Sequence, residues 1–129
     1  MRKFLGEKNP SHLNMISLIG KKIISCNDYG VLTFETGEIL ESESEGSWSD
    51  WWEDYFKVRK KYLYDIIKDI YVYESSDKII ITFVNNNNKE MCKFTHIFHN
   101  DSDWNYGCYV RYKWGNSWSD VDTTDTFYT

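Results

Sequence analysis

The chain has 129 residues, a length that suits one domain and allows a substantial core without disulfides or a structural metal. Hydrophobic residues make up 41% and charged residues 27%, as in an ordinary soluble globular domain. Lys and Arg total 15 and Asp and Glu total 20, so the net charge is -5. This charge argues against a general nucleic-acid binder and against an anionic membrane surface as partner.

The N-terminal segment, residues 1–19, is predicted to be an arm or loop that precedes a single domain over residues 20–129. Its first part is polar and contains the only proline, Pro10. The basic residues near Met1 are not followed by an apolar run, so we expect no signal peptide. No stretch approaches the roughly 20 apolar residues that cross a bilayer. Together with three cysteines that form no Cys-x-x-Cys pair, this favours a cytoplasmic protein.

The next segment has the composition of short strands joined by turns. Lys22–Cys26 and Val31–Phe34 are rich in β-branched or aromatic residues and flank a predicted turn at residues 27–30. A second turn around Gly37 leads to a third short strand, Ile39–Leu40. Residues 41–50 are acidic and rich in serine, and we expect them to form a loop.

An amphipathic helix is predicted over about residues 50–67. Large apolar side chains recur at spacings of three and four residues, beginning with Trp51, Trp52, Tyr55 and Phe56. Ser49 or Asp50 can cap the first turn, and the acids come before the lysines, in the order that complements a helix dipole.

After the predicted helix the apolar period falls to two residues. Four strands are predicted, at Asp69–Glu74, Lys78–Val84, Lys89–His99 and Tyr106–Trp114. The asparagine tract 85–88 is predicted to be a hairpin loop, since asparagine tolerates positive φ. Residues 100–105 read as a further polar turn, and residues 124–128 as a last short strand. The predicted fold class is therefore α+β, an antiparallel meander with one main helix.

No sequence motif indicates catalysis. The chain has no glycine-rich phosphate loop, no His-Glu-x-x-His and no Gly-x-Ser-x-Gly. His96 and His99 have a spacing that could hold a metal, but on one strand they point to opposite faces. We therefore expect a non-enzymatic protein with no catalytic residues, no metal and no cofactor.

The segment Gly46-Ser47-Trp48-Ser49-Asp50 recurs almost unchanged as Asn116-Ser117-Trp118-Ser119-Asp120. Each copy can present a tryptophan for stacking beside hydroxyl and carboxylate groups that hydrogen-bond sugar hydroxyls or amines. Alternatively, each tryptophan plugs one end of the core while its polar neighbours cap a turn. The candidate ligand-binding residues from this repeat are Trp48, Ser49, Asp50, Asn116, Trp118 and Asp120.

Arg111 and Lys113 are the candidate phosphate-binding residues. They alternate with Val110, Tyr112 and Trp114 in a predicted strand, so they share one face. Arginine suits bidentate contacts with phosphate, although a solvent-facing strand often carries such charges without a ligand. The basic segment 57–61 can add positive charge.

The sequence has a Gly-Lys-x-Ile strand at residues 20–23, a Gly-Glu turn at 37–38, an acidic segment at 45–54, and an arginine strand and aromatic loop at 111–122. In these features the chain resembles small counter-defence proteins of phages and prophages from low-GC bacteria. The chain also lacks Ala and Gln and has one Pro, as expected of a low-GC genome. The family typically carries adjacent cysteines where this chain has Gly46–Ser49, so the ligand can differ.

Two functions follow as hypotheses. The resemblance, to Thoeris anti-defence sponges, implies an oligomeric protein that sequesters a nucleotide-derived immune signal of the cyclic ADP-ribose or cyclic oligonucleotide class. The second hypothesis is an acidic protein–protein inhibitor, of the anti-CRISPR or toxin-immunity type, that blocks a basic target. It rests on the acids between Glu38 and Asp54 and on the tryptophans interleaved with them.

Overall fold

The computed structural model contains two five-stranded antiparallel sheets and describes residues 2–4, 18–45, 50–75, 77–100, 109–114 and 117–121. A single-turn 3-10 helix, Lys60–Tyr62, follows the fifth strand. The strands are β1 (Arg2–Phe4), β2 (Ile23–Cys26), β3 (Leu32–Phe34), β4 (Ile39–Glu45), β5 (Asp50–Val58), β6 (Asp69–Glu74), β7 (Lys78–Val84), β8 (Glu90–Asn100), β9 (Tyr109–Trp114) and β10 (Ser117–Val121).

The chain divides its strands between the sheets. Sheet one has the order β1-β6-β7-β8-β5, and sheet two has the order β10-β9-β4-β3-β2. The chain passes from sheet two to sheet one between β4 and β5, and β5 lies at one edge of sheet one. All neighbouring strands pair antiparallel.

The core lies between the two sheets and is built by period-two alternation. In β7, Ile79, Ile81 and Phe83 are buried, and the residues between them are only half-buried. Sheet two contributes residues such as Phe34 and Tyr112, which are fully buried. Tyr112 meets Phe94 of sheet one edge-on, with ring centroids 5.4 Å apart, so aromatic packing joins the sheets.

The predicted turns at residues 27–30 and 85–88 are confirmed. The Asn27 side chain accepts hydrogen bonds from the backbone N–H groups of Tyr29 and Val31. Gly30 has φ +81°, and a Cβ there would lie 3.1 Å from ring atoms of Phe56 and Phe94. In the second turn, Asn88 has φ +59°, as expected for asparagine in a tight loop.

The predicted α+β class and the helix over residues 50–67 are wrong. Residues 50–58 form β5, and no helix reaches seven residues in the part of the chain that the structure describes. Trp52, Phe56 and Val58 pack against the core at even positions, and Asp54 occupies the even position between Trp52 and Phe56. This polar residue interrupts the apolar alternation, and exposed Trp51 on the opposite face completes an apparent helical spacing.

The acidic segment is also more regular than the sequence indicated. Residues 41–45, expected to be part of a loop, continue β4, whereas residues 46–49 lie outside the described part. Within the expected N-terminal arm, Arg2–Phe4 pair with β6. The strands predicted at 69–74 and 78–84 are confirmed, and the one predicted at 124–128 lies outside the described residues. No helix among the described residues is long and apolar enough to cross a membrane.

Candidate ligand-binding face

The outer face of sheet one carries tyrosine and lysine side chains. In β6, Ile70 and Val72 are buried in the core, so Tyr71 and Tyr73 lie on the opposite face. The same alternation in β7 places Lys78 outside the core. Tyr73 is 37% exposed and therefore offers its ring to solvent.

A groove of about 320 Å³ runs across this face. We name it the tyrosine–lysine groove, and it lies on the three central strands β6, β7 and β8. Its volume falls at the lower end of the range of about 300–1,000 Å³ found for small-molecule sites. The lining residues are Tyr71, Tyr73, Lys78, Ile80, Thr82, Glu90 and Lys93.

A β-bulge brings a carboxylate into the groove. Phe83 pairs with Cys92 and Val84 pairs with Glu90, so Met91 is an extra residue in β8. Because of this extra residue, Glu90 and Lys93 lie on the same side of the sheet, with Lys93 Nζ 3.9 Å from Glu90 Oε1. The groove thus combines positive charge with a hydrogen-bond acceptor.

A third lysine, outside the groove lining, lies in an unfavourable position. Lys57 of β5 lies directly opposite Lys93 of β8 on the outer face. Like charges at directly opposed positions of a sheet are destabilising. Lys78, at the other end of the groove, makes no ion pair with the described carboxylates. Glu90 offsets part of the charge on Lys93, but the three lysines together leave this face positive.

An exposed aromatic cluster occupies the other end of β5. The Trp51 ring stacks on His99, with centroids 4.1 Å apart and an interplanar angle of 17°. Glu53 accepts hydrogen bonds from Tyr55 Oη at 2.5 Å and from His99 Nε2 at 3.1 Å, and these bonds lower the pKa of its carboxyl. The bond to Glu53 also raises the pKa of Tyr55. These contacts hold Trp51 and Tyr55 while leaving them 48% and 53% exposed.

Four of the sequence-predicted site residues come together on adjacent strands of sheet two. In the β9 ladder, Arg111 lies opposite Asp120 of β10, and Lys113 lies opposite Trp118. On the other side, the same two β9 positions oppose acidic positions of β4. None of these residues lines the tyrosine–lysine groove.

The other predicted residues do not join them. Trp48, Ser49 and Asn116 lie outside the described residues, so their predicted role stays a prediction. Asp50 begins β5 in sheet one, opposite Asn100.

A chain of hydrogen bonds, which is buried at His96 and Tyr112, links the two sheets. His96 of β8 is 1% exposed; its Nδ1 lies 2.7 Å from Asp54 Oδ1 and its Nε2 lies 2.5 Å from Tyr112 Oη. Ser44 of β4 donates to the other Asp54 oxygen. His96 and His99 point to opposite faces of β8, as the sequence predicted.

The proton positions in this chain follow from the charges. Burial alone would raise the pKa of Asp54, but the hydrogen bonds from His96 and Ser44 outweigh it and hold the pKa below its ordinary value. An ionised Asp54 accepts only, so His96 donates from Nδ1 and accepts at Nε2 from the Tyr112 hydroxyl. Burial raises the pKa of Tyr112 far above its usual value, so the phenol remains protonated.

Among the residues that the structure describes, Cys92 has no catalytic partner. It lies four positions before His96 on the same strand, and burial raises the pKa of its thiol strongly. A protonated, buried thiol is a poor nucleophile.

Sequence reasoning missed the tyrosines and two of the lysines of the candidate face. The signal was present, because Tyr71, Tyr73 and Lys78 alternate with core residues in strands that were predicted correctly. Lys57 was already part of a predicted basic segment. What joins it to Lys93 is the pairing of β5 with β8, which the predicted helix excluded.

No protein-family model, no curated protein and no solved structure matches the chain.

Proposed function

We propose that this protein is a non-enzymatic binding protein that sequesters a nucleotide-derived signal in the tyrosine–lysine groove. The observation that carries the proposal is the groove itself, where two tyrosines lie beside two lysines on one exposed sheet face. We therefore propose a site on sheet one, in place of the Trp48 and Trp118 loops and Arg111.

Each group in the groove suits one part of a nucleotide. A base can stack on the exposed ring of Tyr73, and aromatic stacking contributes about 1–3 kcal/mol per base. Lys78 and Lys93 can hold phosphate oxygens, with Lys57 adding charge from β5. The carboxylate of Glu90 and the hydroxyl of Thr82 can accept hydrogen bonds from ribose hydroxyls.

Binding without turnover is consistent with the chemistry of the titratable groups. The Asp54–His96–Tyr112 chain contains the residue types of a catalytic relay, but its terminal hydroxyl is fully buried in the core. A substrate cannot reach that hydroxyl without opening the sheets. We therefore assign the Asp54–His96–Tyr112 hydrogen bonds a structural role and propose no catalytic residue.

The biological setting follows from the resemblance described above. A sponge of this kind would act in the cytoplasm of a bacterial host, as a phage-encoded counter-defence protein. It would keep a cyclic ADP-ribose or cyclic oligonucleotide from the host effector. A homo-oligomer could enclose the open groove between copies and so strengthen binding.

The test is a thermal-shift and calorimetric screen of cyclic ADP-ribose isomers and cyclic dinucleotides. The protein is then denatured to release each bound compound, and the released compound is analysed for chemical change. We expect one compound to raise the melting temperature and to be recovered intact. Recovery of a hydrolysed product would contradict the non-enzymatic assignment.

Matched variants locate the site. Tyr73→Ala should weaken binding about fivefold or more through lost stacking. Lys93→Gln should weaken it about tenfold or more through a lost charge-assisted bond. Lys21→Gln removes the same charge outside the groove and should leave the affinity unchanged. Equal affinities in all three variants would reject the groove as the site.

The exposed Trp51 cluster favours the inhibitor as a second candidate. Trp51 and Tyr55 lie on an edge strand and are held by His99 and Glu53, as preorganised aromatic anchors of an interface would be. An acidic inhibitor should capture a basic nuclease in a pull-down, and Trp51→Ala should abolish the capture. Affinity for such a target should fall steeply with added salt.

A further inference from the structure

A separate pocket of about 220 Å³ opens between the two sheets and shares no lining residue with the tyrosine–lysine groove. The turn between β2 and β3 forms one side, and strands β4, β5 and β8 form the others. Its volume lies below the range of about 300–1,000 Å³ that is usual for drug-sized ligands. The pocket therefore suits a group of about the size of an amino-acid side chain.

The walls of this pocket are aromatic. Phe56 and Phe94 line it from β5 and β8, with ring centroids 4.9 Å apart. Tyr29 contributes its ring from the β2–β3 turn, whereas Tyr55 borders the pocket from β5 with its side chain on the outer face, bonded to Glu53. Tyr29 is 89% exposed, although a large aromatic side chain ordinarily gains from burial.

The charge of the pocket is negative. Asp28 and Asp54 both line it, and no lysine or arginine occurs among its described lining residues. Asp54 is fixed by hydrogen bonds from His96 and Ser44, while its side chain is still 44% exposed. The hydrogen bonds from His96 and Ser44 hold the pKa of Asp54 below its ordinary value, so the pocket keeps an ionised carboxylate beside Asp28.

We infer that this pocket binds an organic cation of the alkylammonium or guanidinium class. Carboxylates attract such a cation, and the faces of aromatic rings stabilise it within about 6 Å. An arginine or lysine side chain of a partner protein and a free polyamine share this chemistry. The inference does not depend on the proposed nucleotide site, because the two sites have different residues and opposite charges.

The experiment is calorimetry at low ionic strength with two probes, agmatine and a short peptide that contains one arginine. Tyr29→Ala and Asp28→Asn alter exposed residues, so each variant should fold with an unchanged melting temperature. Each should weaken probe binding about two- to fivefold. Tyr73→Ala serves as the matched control, since it removes an exposed tyrosine from the other site.

The outcomes separate the possibilities. Tighter binding of the peptide than of agmatine supports a protein side chain as the occupant, whereas tighter binding of agmatine supports a free amine. Loss of nucleotide binding in Tyr73→Ala with cation binding retained shows that the sites are independent. If neither probe binds the unaltered protein, or if Tyr29→Ala and Asp28→Asn bind as tightly as Tyr73→Ala, the inference is overturned.

Discussion

Removing the hydroxyl of Tyr112 tests the hydrogen-bond chain that joins the sheets. Tyr112→Phe keeps the ring, which packs edge-on against Phe94, and removes only the donor to His96 Nε2. Because His96 is 1% exposed, water cannot replace that donor without opening the core. The substitution therefore leaves a buried acceptor unsatisfied, at a cost of about 1–3 kcal/mol in the free energy of unfolding.

This cost should be measurable without loss of the fold. Domains are typically stable by about 5–15 kcal/mol, and in a domain of this size each kcal/mol shifts the melting temperature by roughly 3–5 °C. Urea unfolding followed by circular dichroism should show a lower midpoint with an unchanged slope. Tyr29→Phe removes a hydroxyl from a side chain that is 89% exposed and should leave the midpoint unchanged.

A double-mutant cycle extends the test to both hydrogen bonds of His96. Tyr112→Phe and Asp54→Asn act on opposite nitrogens of His96, so their costs should be non-additive by about 0.5 kcal/mol or more. A loss below about 0.5 kcal/mol for Tyr112→Phe would refute the reasoning, because the measured change would then match an ordinary surface substitution.

Three further predictions concern stability. The pKa of the folded-state Asp54 carboxyl lies below its ordinary value of 3.8, so its contribution to the free energy of unfolding is complete above pH 3.8 and is lost as the pH falls through the lower folded-state pKa. In an acid titration, the stability of Asp54→Asn should therefore fall less steeply than that of the unaltered protein. Gly30→Ala should lower the stability in urea unfolding more than Gly37→Ala. Both glycines have positive φ, which costs a residue with a Cβ about 1–2 kcal/mol. Only the Cβ at Gly30 would also contact two aromatic rings at 3.1 Å. Lys57→Gln should raise the melting temperature slightly, because it removes the repulsion of Lys93, and the opposite shift would contradict that repulsion.

The sequence was informative wherever one face of a strand is uniformly apolar. In β7 the residues Ile79, Ile81 and Phe83 form an unbroken inner face, and the predicted bounds 78–84 match the structure. The flanking turn was equally readable, because the asparagine at position 88 tolerates the positive φ that the turn requires.

β5 shows where this reasoning fails. Its inner face includes Asp54, a position that is polar because His96 lies opposite it in the ladder. Its outer face includes Trp51 and Tyr55, which a local pattern cannot distinguish from core residues. The spacings of three and four residues thus arose because apolar residues occupy some positions on both faces of the strand. Only knowledge of the partner strand could have identified Asp54 as an inward-facing residue.

The candidate sites could be predicted as residue types but not as places. Asp54, His96 and Tyr112 are separated by 42 and 16 positions in the chain, and they meet because β5 pairs with β8 while β9 lies in the facing sheet. Similarly, Tyr73 and Lys93 share a groove because β7 lies between their strands. Sheet order is a property of the whole chain, which local periodicity does not contain.

Charge distribution also explains how an acidic protein can offer a site for an anion. A net charge of -5 describes the whole chain, but at physiological salt charges are screened over about 8 Å. Within that distance the groove contains Lys93 with Lys57 opposite it, and Glu90 is the acidic residue of its lining. The inter-sheet pocket instead contains Asp28 and Asp54. The net negative charge should therefore slow the association of an anionic ligand at low salt, whereas the local lysines govern its affinity. Added salt should first raise the association rate constant and only at higher concentration lower the affinity.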